Sequence, residues 1–191
     1  GTISISDGGT LNIYGQESGS GTLTLGGYGR STSSGISLGS GSALNIHGGT
    51  ITANGYCYNN KVDAAPGIDV GTGTLTVYGG EVTAEAGTSS NAGYGAGIRV
   101  TSGGTVSIYG GTVTATGASN KSALGVSGAG IGGNGGSSAG ETCGTVNIYG
   151  GTVTATGGSG GSGGSGASAG IGGGQGGTAG SQGGGGTVSI Y

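Results

Sequence analysis

The stretch GTVSIYGGTVTATG occupies residues 104–117 and returns as GTVNIYGGTVTATG at residues 144–157. Apolar and polar side chains alternate in it, so Val106 and Ile108 are predicted to face one way and the intervening threonine, serine and tyrosine the other. This period of two, with β-branched residues and flanking glycines, predicts two short β-strands joined by a glycine corner. One such unit cannot bury its own apolar face, so its close repetition indicates that copies of it stack side by side.

Three short segments recur in the same order along the chain, one set in about every thirty to forty residues. Their apolar patterns begin at Ile3, Ile36, Ile68, Ile98, Ile131 and Ile171 (first segments), at Leu11, Leu44, Leu75, Val106, Val146 and Val188 (second), and at Leu23, Ile51, Val82, Val113 and Val153 (third). Repeats of three strands predict an all-β fold, a parallel β-helix or β-solenoid with three short strands per coil and about five and a half coils. We expect it to form a single β-helix domain over residues 1–191.

Some connections between the segments are longer and more variable than the rest. They follow the third segments, at residues 54–66, 86–96, 117–129 and 157–169, and the first segments of the last two coils, at 132–144 and 172–186. Variable loops on a rigid scaffold commonly carry recognition, so these edges are where a binding site is expected.

The composition excludes several other classes of protein. Glycine accounts for 58 of the 191 residues, but it does not fall at every third position and there is one proline, so the chain is not collagen. Glycine-serine tracts alternate with Val, Ile, Leu and Tyr segments, which a disordered linker would not contain. The net charge of −3 and four scattered basic residues, Arg30, Lys61, Arg99 and Lys121, predict no nucleic-acid partner.

No apolar stretch approaches the ~20 residues that span a bilayer, so we expect no membrane insertion. The chain opens inside one strand motif and stops inside another, and we therefore expect it to be an excerpt of a longer polypeptide. The outer rungs of such a solenoid expose strand edges, which predicts end-to-end or edge self-association.

The repeats also resemble a known kind of protein. AGIRVTSGGTVSIYGGTVTATG at residues 96–117 and AGIGGGQGG at 169–177 are similar to the Gly/Thr-rich β-helix repeats of large secreted or wall-attached bacterial proteins, the adhesin-like or carbohydrate-binding-domain proteins. The resemblance covers almost all of the chain and is strongest over residues 67–191. It implies an extracellular protein, at the cell surface or secreted, and a right-handed coil like that of wide three-stranded β-helices.

A tyrosine follows the second strand of most coils, which predicts an aromatic column with one ring per rung. His47 takes the place of the tyrosine in one coil. With polar residues two positions earlier, such a column forms a candidate platform for sugar rings. The predicted ligand-binding residues are Tyr78, Tyr109, Tyr149, Asn45 and Asn147. In the alternative interpretation the stacked rings only cover a corner and stiffen the solenoid.

The acidic residues, Asp7, Glu17, Asp63, Asp69, Glu81, Glu85 and Glu141, fall on different coils and faces. Glu81 and Glu85 share one side of a strand and would lie ~13 Å apart, too far to chelate one ion directly. Asp69 and Arg99 occupy equivalent outward positions on adjacent coils, which predicts an ion pair between rungs. We expect no catalytic residues, no metal site and no cofactor.

Two further features concern the threonines and the cysteines. Thr-x-Thr pairs stack on the third strands, at Thr50/Thr52, Thr83, Thr112/Thr114/Thr116 and Thr152/Thr154/Thr156, which resembles an ice-binding face interrupted by glutamates. Cys57 and Cys143 lie at different corners three rungs apart, ~14 Å along the axis. That exceeds the ~7 Å reach of a disulfide, so we predict no bridge between them.

These features predict a non-catalytic extracellular stalk or adhesin module of a bacterial surface protein, with a polysaccharide or a host or cell-surface glycan as its expected partner. The leading alternative is a carbohydrate-binding module that uses the Tyr/Asn ladder. An ice-binding surface and a polysaccharide lyase are further alternatives, because β-solenoids host each of these functions.

Overall fold

The computed structural model of the protein describes residues 1–16, 21–27, 32–58, 64–88, 94–119, 126–161, 166–177 and 182–191. The strands of these residues are arranged in three parallel sheets. The first sheet contains β1 (Ile3–Ile5), β4 (Ile36–Leu38), β7 (Ile68–Gly71), β10 (Ile98–Val100), β13 (Ile131–Gly132) and β16 (Ile171–Gly172). The second contains β2 (Thr10–Ile13), β5 (Ala43–Ile46), β8 (Thr74–Val77), β11 (Thr105–Ile108), β14 (Thr145–Ile148) and β17 (Thr187–Ile190). The third contains β3 (Thr22–Gly26), β6 (Thr50–Asn54), β9 (Glu81–Glu85), β12 (Thr112–Thr116) and β15 (Thr152–Thr156).

Each strand pairs with its equivalent in the coils on either side, so the chain forms a β-solenoid. The predicted three strands per coil are confirmed. Within the described residues the first two sheets are six strands deep and the third is five, which corresponds to five complete coils and two strands of a sixth.

The register between coils follows the apolar pattern of the sequence. In the second sheet Val106 lies opposite Leu75 and Val146, and in the third sheet Val113 lies opposite Val82. A shift of one residue would turn these side chains to the solvent, so the inward ladder itself fixes the pairing.

The inward side chains of all three sheets form one continuous core. Ile68, Ile98, Leu75 and Val113 are fully buried in it. In the outermost described coils the equivalent residues are less protected, and Ile190 is 74 % exposed because a neighbouring coil covers it on one side only. Each coil therefore depends on the coils next to it for burial, as expected for a repeat protein.

The glycine corners between the second and third sheets are also confirmed. Gly80 and Gly111 both have positive φ angles, +87° and +81°. A Cβ added to Gly111 would collide with the carbonyl oxygen of Gly80 in the coil before it. Glycine is thus required here for its backbone angle and for the close approach of two coils.

Candidate functional site

The predicted aromatic column is present on the outward face of the second sheet. It consists of Tyr14, His47, Tyr78, Tyr109, Tyr149 and Tyr191, each placed directly after a strand of that sheet. Successive ring centroids lie 4.4, 4.8, 5.4, 4.6 and 4.6 Å apart, and the ring planes are within 11° of parallel. His47 is one ring of the column, as predicted.

Backbone hydrogen bonds fix the spacing of the rings. The N–H of Tyr109 donates to the carbonyl oxygen of Val77 at 2.8 Å, and the N–H of Tyr149 donates to that of Ile108 at 2.7 Å. The backbone hydrogen bonds between coils therefore continue through the residue that carries each ring. The ring spacing follows the ~4.8 Å spacing of the strands.

The stacking determines which parts of the tyrosines a ligand can reach. Tyr78 and Tyr109 are each 49 % exposed and Tyr149 is 41 % exposed. Each of these three rings has an aromatic neighbour on both of its faces. Their accessible parts are consequently the ring edges and the hydroxyl groups, whereas sugar rings generally stack on an open aromatic face.

Its neighbours in the column influence the ionisation of Tyr149. Reduced contact with water between the rings raises the pKa of Tyr149 above its ordinary value, and the adjacent Tyr191 and Tyr109 phenols raise it further. A phenolate at this position would lie close to two further phenols that cannot neutralise its charge. The column therefore favours the uncharged form of Tyr149.

The predicted asparagines lie on the same outward face as the rings. Asn45 is in register with Asn12, and its side-chain amide donates to the Asn12 Oδ1 atom at 2.9 Å. Asn147 is in register with Ser107 and Ser189. Asparagine, serine and threonine thus form a row of short polar side chains beside the rings. The prediction that these residues bind a ligand stays a prediction.

The predicted ion pair between coils is confirmed and is part of a larger cluster. The Arg99 Nη1 atom lies 2.9 Å from the Asp69 Oδ1 atom. The opposite side of the guanidinium donates two further hydrogen bonds, both of 2.7 Å, to the carboxylate of Glu141. Arg99 therefore joins two neighbouring strands of the first sheet to the long connection at residues 132–144.

Sequence analysis did not pair Glu141 with Arg99. Partial burial alone would raise the pKa of the Glu141 carboxyl, but the hydrogen bonds and charge of Arg99 outweigh this effect, so the pKa lies below its ordinary value. The hydrogen bond to Glu141 is also the main cause that raises the pKa of Arg99. The backbone N–H of Asn134 donates to the same carboxylate at 3.1 Å. The bonds from Arg99 and Asn134 to Glu141 hold the connection against the first sheet.

The other acidic residues that the structure describes, Asp7, Glu81 and Glu85, do not join this cluster. Glu81 and Glu85 are exposed and stand in register with Thr112 and Thr116. Among the residues that the structure describes, no three His, Cys, Asp or Glu side chains are grouped to hold a metal ion. Several charged residues considered above lie outside the described ranges: Glu17, Arg30, Lys61, Asp63 and Lys121.

The threonine rows of the third sheet are in register across its strands. The central row is unbroken and consists of Thr24, Thr52, Thr83, Thr114 and Thr154. The two flanking rows contain the glutamates, so acidic side chains border the threonines on both sides in one coil.

The two cysteines lie in separate clusters and are not joined by a disulfide. Cys57 packs with Ala64 and Ala118, while Cys143 belongs to the main core. Burial raises the pKa of the Cys143 thiol, which disfavours the reactive thiolate. We assign the Cys143 thiol to packing in the core.

A groove lies where the chain leaves the third sheet. It has a volume of about 260 Å³ and is lined by the polar residues Glu85, Thr88, Thr116 and Ser119, with small residues between them. These residues come from two successive coils: Glu85 and Thr116 end strands of the third sheet, and Thr88 and Ser119 lie in the connections that are expected to carry recognition. The groove is the second candidate binding surface of the chain.

Comparisons with known proteins do not assign the chain to a family. No family model matches the chain, and neither the curated proteins nor the solved structures gave a match. Within the described ranges the structure also contains no helix long and apolar enough to cross a membrane.

Proposed function

We propose that the chain is a non-catalytic β-solenoid stalk or adhesin module of an extracellular bacterial surface protein. The observation that carries this proposal is the stacking of equivalent residues in every coil: an isoleucine row runs in register from Ile3 to Ile171 in the first sheet, and an aliphatic row runs from Leu11 to Val188 in the second. The one shift of register in the first sheet follows Arg99. Such a structure can be lengthened by adding coils and can present the same surfaces repeatedly along its axis.

The aromatic column supports a mechanical role. Each stacked aromatic pair contributes about 0.5–1.5 kcal/mol beyond the burial of its area. Five successive contacts of this kind run along the solenoid on its outer surface. These contacts resist the separation of adjacent coils. A stalk pulled along its axis has to resist that separation.

The positions of the charged residues support a role without catalysis. Asp69 and Glu141 are both bound to Arg99, so these carboxylates are committed to an ion cluster. Glu81 and Glu85 lie apart from this cluster, on the exposed face of the third sheet. An enzyme acting on polysaccharide needs an acid and a base that converge on one substrate bond.

Carbohydrate binding is the second candidate function, and the polar face of the second sheet favours it. Tyr109, Tyr149 and Asn147 offer hydroxyl and amide groups in rows with the spacing of the coils. Because the ring faces are covered, we infer that a glycan bound here would contact hydroxyl groups and ring edges. If the connections carry the adhesive contact instead, we expect the partner to bind in the groove at Glu85 and Ser119.

The experiment is a binding and turnover assay of the chain against plant, microbial and host polysaccharides. The double variant Tyr109→Phe/Tyr149→Phe keeps the stacked rings and removes two hydroxyl groups, while Thr88→Ala/Ser119→Ala alters the groove. Loss of binding in one variant alone locates the glycan site. Hydrolysis or elimination of any polysaccharide by the chain contradicts the non-catalytic proposal. Failure of the chain to bind any glycan contradicts both the adhesive role and the carbohydrate-binding alternative.

A further inference from the structure

Four tyrosines of the aromatic column follow one another without interruption: Tyr78, Tyr109, Tyr149 and Tyr191. Their successive ring centroids are 5.4, 4.6 and 4.6 Å apart. Tyr14 is separated from this run by His47, which stacks between Tyr14 and Tyr78. All four tyrosines of the run are at least 41 % exposed, so an oxidising enzyme can reach them at the surface.

We propose that this tyrosine run is a site of oxidative modification, at which neighbouring phenols couple into dityrosine bonds that join one coil to the next. The co-reactant is hydrogen peroxide, used by a peroxidase that removes single electrons from phenols. The product is a covalent staple along the outside of the solenoid. This inference does not depend on a bound glycan.

The chemistry balances with one peroxide molecule per bond. Each of two tyrosines loses its hydroxyl hydrogen, as an electron and a proton, and becomes a phenoxyl radical. The radicals then join through a carbon–carbon bond between the ring positions next to the oxygens. The hydrogens displaced from those two carbons move to the oxygens and restore both phenols. The two hydrogen atoms lost overall reduce hydrogen peroxide to two molecules of water.

The solenoid brings the reacting rings together before oxidation. Radical coupling between separate molecules depends on chance encounter, whereas groups held in contact react with a very high effective concentration. The rings stand at the solvent edge of their sheet, so they can tilt about their side-chain bonds until the two ring carbons meet. We expect Tyr109–Tyr149 and Tyr149–Tyr191 to couple before Tyr78–Tyr109, because their rings are closer. Tyr94 is 8 % exposed and serves as an internal example of a protected phenol.

The test oxidises the full chain with peroxidase and limiting hydrogen peroxide, then digests it with trypsin and measures peptide masses. Trypsin cuts after the four basic residues, which places Tyr109 alone in peptide 100–121 and both Tyr149 and Tyr191 in peptide 122–191. The expected product is peptide 100–121 joined to peptide 122–191 with the loss of two hydrogens. It should come from monomeric protein and show dityrosine fluorescence.

Two variants make the test specific. Tyr149→Phe keeps an aromatic ring in the stack but removes its phenol, so the joined product should disappear while coupling of Tyr78 to Tyr109 remains. His47→Tyr extends the phenol run, and it should newly join peptide 31–61 to peptide 1–30 or to peptide 62–99. Free N-acetyltyrosine, oxidised in parallel, confirms that the oxidant is active.

Three outcomes would overturn the proposal. The first is no dityrosine in the protein while N-acetyltyrosine couples. The second is dityrosine found only in covalent dimers. The third is a joined product that persists in the Tyr149→Phe variant, since the bond would then involve other tyrosines.

Discussion

Replacing Gly111 with alanine tests the corner geometry that sets the distance between coils. Gly111 has a φ of +81°, and a Cβ there would collide with the Gly80 carbonyl oxygen and lie 2.9 Å from the Gly79 carbonyl carbon. Gly41 is the matched control. It also has a positive φ, +65°, but a Cβ added to it would meet nothing within 4 Å.

The two substitutions share one cost and differ in another. Holding alanine in the left-handed region costs roughly 1–2 kcal/mol, and the reduced freedom of the unfolded chain returns roughly 0.4–1 kcal/mol of this. Gly41→Ala should therefore lower the free energy of unfolding by about 1 kcal/mol. Gly111→Ala must in addition displace the backbone of the neighbouring coil, which costs about 1–3 kcal/mol by analogy with overpacked cores. Its total should be about 2–4 kcal/mol.

The assay is urea unfolding of the wild type and of the two variants, followed by the circular dichroism of the β-structure. Equal losses of unfolding free energy in the two variants would show that the backbone angle alone explains why glycine is needed at position 111. The close approach of the two coils would then contribute nothing. A larger loss in Gly41→Ala would contradict both parts of the reasoning.

Three further predictions follow from the ion cluster, the aromatic column and the core. Arg99→Gln should lower the free energy of unfolding by about 1.5–3 kcal/mol, because Asp69 and Glu141 lose charged hydrogen bonds; urea unfolding measures this, and the loss should shrink at high salt. The pKa of Tyr149 is raised in the folded state, so the free energy of unfolding should be constant below about pH 10 and fall as the pH rises above this value. Urea unfolding measured across this pH range should show a less steep fall in Tyr149→Phe. Ile98→Ala should cost about 2–5 kcal/mol in the same urea assay, since its side chain is fully buried; a loss below 1 kcal/mol would contradict the continuous core.

The strands and their register were predictable from the sequence because the repeats align with themselves. Ile98 lies opposite Ile68 and Ile131 in the structure, as their equivalent places in the repeats require. The same logic placed Asp69 next to Arg99, since the two residues follow those isoleucines. In a solenoid, position within the repeat predicts spatial neighbours, so long-range contacts become readable from one sequence.

Contacts made by the variable connections were not predictable in this way. Glu141 lies in a long connection after the first strand, and the earlier coils have only a short connection at this corner. Its position within the repeat therefore does not predict its partner. Its hydrogen bonds with Arg99 depend on how residues 132–144 fold back over the first sheet. Only charge could have indicated this partner. Asp69 occupies one side of the Arg99 guanidinium, which leaves the other side for a second carboxylate.

The aromatic column shows why a correctly predicted position does not settle a function. The sequence places Tyr78, Tyr109 and Tyr149 in a row, but only the structure shows that each ring covers the faces of its neighbours. Stacking that stiffens the solenoid uses the same ring faces that a sugar platform needs, so rigidity and sugar stacking compete for this surface. Ring edges and hydroxyl groups remain open, and these are the groups that hydrogen bonding and oxidative coupling require. If the chain also binds glycans tightly, the groove beside Thr88 and Ser119 is the surface where recognition and stiffness do not compete.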